Sequence, residues 1–375
     1  MSKFHTLQIL RGIAASIVVV DHAYLRQLEW STVPGTYSTL AQFSGTLAVA
    51  VFFVISGYIM IAKSGQQFGQ TGAASDFLMK RIIRIVPLYW TATLLELALR
   101  YHKGAHVDPW AVFASLLFLP MGVPAGGYMR PLLGVGWTLN YEMFFYVIFA
   151  AALLFGKRIG LPFLLSTLVA LVAFGAAYKP LTDTGPPHTL FAYWTDPILL
   201  LFAAGVVIGL FPAFFSGWEQ RIRHPVLITL ALLVFCLSVF LAGKFAFPLH
   251  LGWQLAGWTI CVLAVGFCIF GRQSLDSGFA GAASLLGDMS YSLYLFHFFS
   301  IVAVEKVWWL LFGKEYSPFF VPVAYIGSVA AAYAIYHLIE LNFVRLAKRD
   351  RDRRRAQGKI FSTPTRAVIG RNPPH

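Results

Sequence analysis

The chain has 375 residues, 58% of them hydrophobic and 12% charged, with a formal net charge of +13. Soluble domains hold about 45–50% apolar and about 25% charged residues, so a single water-soluble core is excluded and lipid becomes the solvent for most of the chain. The basic residues sit in short clusters between apolar runs and in the tail KRDRDRRR at 348–355, which suits topology signals and not a nucleic-acid surface.

Ten segments are apolar over about the 20 residues that a crossing helix needs. They are residues 9–27, 42–62, 82–100, 136–155, 160–178, 195–212, 226–243, 253–270, 288–311 and 320–343. The reading is an all-α polytopic membrane bundle. Basic loops place both termini in the cytoplasm, the loop 100–135 being the exception. Residues 110–120, WAVFASLLFLP, are too short to cross and are expected to dip into the membrane or lie on it. Residues 1–345 form one membrane domain, and 346–375 are expected to be a disordered basic tail. Cys236, Cys261 and Cys268 all lie in apolar runs without ligand spacing, so neither a metal site nor a disulfide framework is indicated.

The first span opens with basic residues, as a signal peptide would. Asp21 and His22 interrupt its apolar run and no small-residue cleavage site follows, so an uncleaved span is expected. Within RGIAASIVVVDH (11–22), Arg11 and His22 are eleven residues apart. That is about 16 Å of axis and about 20° beyond three full turns, so both lie on one face. Asp21 points about 100° away from His22. Ionisable groups in a span are functional candidates by default. Snorkelling would also account for Arg11, and an interhelical hydrogen bond for His22.

The second span carries FFVISGY (52–58), where Ser56-Gly57 lets helices approach closely. The third opens RIIRIVPLYW (81–90); Arg81 and Arg84 share a face and suit an anion, although paired arginines at a boundary also fix topology. Pro87 is tolerated in a membrane helix. In the fourth, GVGWTLNYEMFFY (134–146), Thr138, Glu142 and Tyr146 share a face. Glu142 falls about 9 Å from the outer end, at a depth where it could meet and orient the His22 imidazole. The ninth, GDMSYSLYLFH (287–297), superposes Ser290, Tyr294 and His297 as candidate cavity-lining residues. Glu96, Asp196, Glu305 and Glu340 lie near span ends, in reach of water, and are assigned no role.

Five stretches in this order, LRGIAASIVVVDH, FFVISGYIM, RIIRIVPLYW, GWTLNYEMFFY and SYSLYLFH, resemble the acyltransferase-3 family of integral membrane acyltransferases over about residues 5–343. The wording LLGVGWTLNYEMFFYVIF is most similar to its exopolysaccharide-production branch. That resemblance implies O-acyl transfer, usually of acetyl from acetyl-CoA, to a sugar hydroxyl of a surface polysaccharide or its lipid-linked precursor. His22 and Glu142 would be catalytic, and Arg11, Arg81 and Arg84 would bind the acyl-CoA donor. No permanently bound cofactor or metal is expected. The expected partners are the donor, the glycan acceptor, the bilayer and polysaccharide assembly proteins, in a bacterial cytoplasmic (inner) membrane. A transporter or flippase for a lipid-linked sugar or small anion is the alternative, although the paired repeats usual in transporters are not visible.

Overall fold

A computed structural model describes residues 3–31, 38–121, 129–178, 187–211, 251–271 and 277–346. The expected span 226–243, Cys236 and the tail from 347 lie outside the described residues. The described part is all-helical. Its helices are α1 (Lys3–Trp30), α2 (Ser38–Ser64), α3 (Ala73–His102), α4 (Pro109–Leu116), α5 (Trp137–Leu153), α6 (Lys157–Tyr178), α7 (Leu190–Trp194), α8 (Leu199–Leu210), α9 (Leu251–Phe270), α10 (Ser277–Asp288), α11 (Ser290–Phe312) and α12 (Phe320–Ile335). A π-helical turn, Tyr336–Glu340, extends α12. Among the described residues, seven helices are long and apolar enough to cross a membrane, and the protein is a multi-pass integral membrane protein.

Composition explains which helices lie at the periphery. On α6 the buried residues are Gly160, Leu164, Leu168, Val172 and Gly175, a stripe one helical face wide. On α12 they are Phe320, Ala324, Ser328 and Ala332. Large apolar residues on the other faces, such as Val169 and Ile326, are exposed, as a lipid solvent allows. α1 and α2 occupy the centre: α1 packs against α2, α9, α10, α11 and α12, and α2 packs most extensively on α8.

Small residues set the closest crossings. A Cβ on Gly57 would sit 2.2 Å from the Phe202 carbonyl oxygen, and one on Gly287 would sit 1.9 Å from that of Gln8. Only glycine lets α2 meet α8, and α10 meet α1, this closely. The close-packing reading of Ser56-Gly57 therefore holds for Gly57.

Several expected elements differ in detail. The third span is longer than 82–100 and runs unbroken through Pro87. The segment 195–212 belongs to a longer apolar stretch, broken between α7 and α8 around Pro197, where proline removes a helix donor. α5, with 17 residues, is shorter than the span expected over 136–155. The segment 110–120 forms only the eight-residue α4, started by Asp108, whose side chain accepts from the Trp110 backbone N–H. α10 was not anticipated; it packs on α1 and leads into α11 through Met289.

Candidate active site

A cavity of about 270 Å³ lies between α1, α2, α3, α5 and α11. α2 supplies one wall at positions 49, 52, 53, 55, 56, 59, 60 and 63; within it 49, 53, 56, 60 and 63 follow alternating steps of four and three, which keep one helical face turned inward. From Val49 to Lys63 that wall spans about 21 Å of axis at about 1.5 Å per residue. The cavity is therefore a long slot and not a round chamber.

One end of the slot is cationic. Arg11, Lys63, Arg81 and Arg84 all line it. The charges of Arg11, Arg81 and Arg84 all act on Lys63, so the four form one electrostatic cluster. Arg11 donates to Gln8 Oε1 at 3.1 Å, and Gln8 in turn donates to Asp288, which braces the guanidinium from α10. The Arg81 guanidinium lies 5.5 Å from the ring centres of Phe77 and Tyr146, and its buried Nε has no protein hydrogen-bond partner.

Two carboxylates partly balance these cations. Glu142 lines the slot, where its Oε1 accepts from Ser56 Oγ at 3.0 Å and from the Tyr146 hydroxyl. Glu340 is buried in the π-helical turn, accepts from Ser292 Oγ at 2.6 Å, and acts on Arg11 and Arg84. Four cations against two carboxylates leave an excess of positive charge in a partly enclosed site, an arrangement that favours a multiply charged anion. Guanidinium forks match phosphate oxygens in particular.

Further along the slot the lining turns aromatic and hydroxylic. Tyr294 lines the cavity, and its hydroxyl lies 2.9 Å from Thr138 Oγ1 and donates to the Val135 carbonyl at 3.1 Å. Its ring centre is 6.0 Å from Phe52, another lining residue, and 6.0 Å from His297. Ser290 also lines the cavity; its Oγ is fully buried and has no hydrogen-bond partner among the described residues.

Beyond Tyr294 the two histidines meet. The His22 and His297 ring centres are 5.0 Å apart at 65°, edge to face. His22 Nδ1 bonds to the Val18 carbonyl at 2.9 Å, and His297 Nδ1 to the Tyr294 carbonyl at 2.7 Å. A carbonyl oxygen only accepts, so both rings carry their proton on Nδ1 and leave Nε2 as the basic nitrogen. His297 is buried, whereas the His22 side chain is 38% exposed and so reachable. Arg130, exposed in the segment before α5, is close enough for its charge to act on His22.

These positions correct four expectations. Arg11 lines the cavity, but His22 does not; His22 meets His297, whose ring centre is 6.0 Å from that of the cavity-lining Tyr294. Glu142 is bonded to Ser56 and Tyr146 among the cations, and no hydrogen bond joins it to the imidazole among the described residues. The carboxylate beside His22 is instead Asp21, whose Oδ2 is 3.6 Å from His22 Nδ1. Two carboxylates placed near water are in fact buried: Glu340, and Glu305, which holds Arg26 through Nε at 2.6 Å. Ser290 and Tyr294 line the cavity as expected, while His297 lies behind it. Lys63, Gln8 and Asp21 were not singled out. For Lys63 a signal existed, since it continues the three-and-four spacing of Ser56 and Met60.

Comparison with known proteins gives a consistent picture. The family model described as an acyltransferase domain matches residues 4–337. The chain is 34% identical over 275 residues to the exopolysaccharide production protein ExoZ of Rhizobium meliloti (strain 1021), covering 70% of this chain and 78% of that protein. It is 26% identical over 318 residues to the acyltransferase MdmB of Streptomyces mycarofaciens, covering 78% and 77%. No solved structure matches the chain.

Proposed function

The chain belongs to the acyltransferase-3 family and is an acyltransferase; from that premise we propose that it moves an acyl group, foremost acetyl, from acyl-CoA to a sugar hydroxyl of a cell-surface or exopolysaccharide or its lipid-linked precursor. The observation that carries the reading is the slot with four cations at one end and an imidazole pair beyond the other. Coenzyme A is a polyphosphate on a long flexible arm that ends in sulfur, so its two ends differ in chemistry as the two ends of the slot do. The similarity to ExoZ supports an exopolysaccharide as the acceptor, and hence a bacterial inner membrane as the location.

In the mechanism, Arg11, Arg81, Arg84 and Lys63 hold the donor phosphates by charge-assisted hydrogen bonds. The pantetheine arm follows the α2 wall past Ser56 and Phe52 toward Tyr294. His22 Nε2 takes the proton of the acceptor hydroxyl as its oxygen bonds to the acyl carbon. The C–S bond breaks, and His22 returns the proton to the departing thiolate. The Val18 carbonyl accepts from Nδ1 and so fixes the tautomer that leaves Nε2 free for this step. To reach His22, the acyl group passes beside Tyr294 and His297.

The test is transfer itself. Full-length protein in liposomes is supplied with [14C]acetyl-CoA and with lipid-linked saccharides extracted from cells lacking the protein. Release of CoA thiol together with labelled saccharide is expected. Saccharide that crosses the bilayer unlabelled, with no thiol released, would instead identify a transporter. Mass spectrometry of the surface polysaccharide with and without the protein then assigns the acyl group and the sugar.

A further inference from the structure

His297 presents an unsolved account. It is 1% exposed, and its Nδ1 donates to the carbonyl of Tyr294 in its own helix at 2.7 Å. Its Nε2 is then a lone-pair acceptor, and it has no hydrogen-bond partner among the described residues. A purely structural role would be served better by an apolar ring, which carries no unsatisfied acceptor into the interior. The ring faces His22 at 5.0 Å. A further buried acceptor without a protein partner, Asp21 Oδ1, belongs to the residue whose other oxygen is 3.6 Å from the same imidazole. A buried lone pair beside a second imidazole, and short of a donor, is the complement of a molecule with neighbouring hydroxyls.

We propose that His297 is the second half of the acceptor site: its Nε2 accepts a hydrogen bond from a hydroxyl adjacent to the one His22 deprotonates. The substrate class is therefore a polyol with neighbouring hydroxyls, and one of them is selected because the other is held. This deepens the acyl-transfer reading and rests on it. His297 exchanges no proton in the reaction. The reacting oxygen bonds to the acyl carbon, the C–S bond breaks, and the proton travels from that oxygen to His22 Nε2 and on to the thiolate.

Two substitutions separate this role from packing. In His297→Asn the amide keeps a donor for the Tyr294 carbonyl but loses the acceptor at Nε2. In His297→Gln the longer amide places an acceptor where Nε2 stood. With full-length enzyme in liposomes, labelled acetyl-CoA and the extracted lipid-linked saccharides, the Asn variant should raise the saccharide KM by about tenfold or more, the loss of one buried hydrogen bond. The Gln variant should recover most of that loss, and the acetyl-CoA KM should stay within about twofold in both. Equal losses, or a milder loss in the Asn variant, would overturn the proposal and leave His297 structural.

If neither variant inserts, the wild type still decides. The octyl glycoside of the sugar it acylates is compared with the analogue lacking the adjacent hydroxyl. A KM about tenfold higher for the deoxy analogue supports the proposal, and equal KM values overturn it. A wild type that transfers no acyl group to any of these probes defeats the acyl-transfer reading instead, which is a different outcome from normal transfer that ignores the adjacent hydroxyl.

Discussion

The cationic end of the slot and the histidine end are built by opposite means. Around Arg11, Arg81 and Arg84 the protein supplies charge in excess and ties it to neighbouring helices: Arg11 reaches Asp288 of α10 through Gln8 of its own helix, and Arg81 lies between Phe77 of its own helix and Tyr146 of α5. Around His22 and His297 it supplies acceptors tied only to their own helical turns. Charge holds a ligand at a distance and tolerates imprecise placement. A lone pair works only at hydrogen-bond range. Under the proposed function, the first region would bind the charged donor and the second would discriminate a neutral hydroxyl. Because α1 contributes to both, through Arg11 and His22, a single helix couples them.

The largest effect is expected at the histidine end. His22→Ala should lower kcat by about 10²–10⁴, the contribution of a positioned general base, while the acetyl-CoA KM changes little and the protein still inserts. A loss expressed mainly in the donor KM would move His22 into the binding region and dissolve the contrast. Next, Arg84→Ala should raise the acetyl-CoA KM by about 10–100-fold, as expected for one charge-assisted hydrogen bond, with the saccharide KM nearly unchanged. Steady-state kinetics in liposomes with each substrate varied in turn separates the two results.

The cationic region was far more legible in the sequence than the histidine region, for a physical reason. An arginine in an apolar run is conspicuous whatever it touches, so Arg11, Arg81 and Arg84 stood out, and all three line the slot. Lys63 was obscured because a lysine at a span end reads equally well as a topology signal. The pairing of Glu142 with His22 failed because helix rise gives depth only; it fixes neither which helices adjoin nor how they tilt. Asp21 was set aside on its 100° offset, yet side chains on adjacent positions of one helix still come within 3.6 Å. Glu305 and Glu340 were placed in water by counting from span ends, but α11 and α12 bury both. The contact of His22 with His297 joins positions 275 residues apart, from 22 to 297, and no local pattern carries it.

Glu142 sharpens the comparison further, because sequence and structure assign it to different regions. Glu142→Gln keeps an oxygen for Ser56 and Tyr146 but removes a negative charge from the donor cavity. As a member of the cationic region it should lower the acetyl-CoA KM by about threefold, the scale of a partly screened charge pair, with kcat near that of the wild type. If Glu142 instead orients His22, kcat should fall by about a hundredfold, as when a general base loses its orienting partner.

The smallest effect is expected at Ser290, where the slot passes from charge to hydroxyls. Its Oγ is fully buried, lines the cavity and has no hydrogen-bond partner among the described residues, so without ligand it weakens the fold. Ser290→Ala should therefore raise the stability of the ligand-free protein by up to about 1 kcal/mol, the scale of an unmade hydrogen bond. If the donor arm satisfies this hydroxyl, the same substitution raises the acetyl-CoA KM by about threefold, and stabilisation of the protein by acetyl-CoA shrinks in proportion. Thermal unfolding with and without acetyl-CoA measures both shifts on one sample. Gain in the free protein with loss in the bound one would place Ser290 on the donor's path, whereas equal changes in both would return it to packing and shorten the donor site to the cationic end.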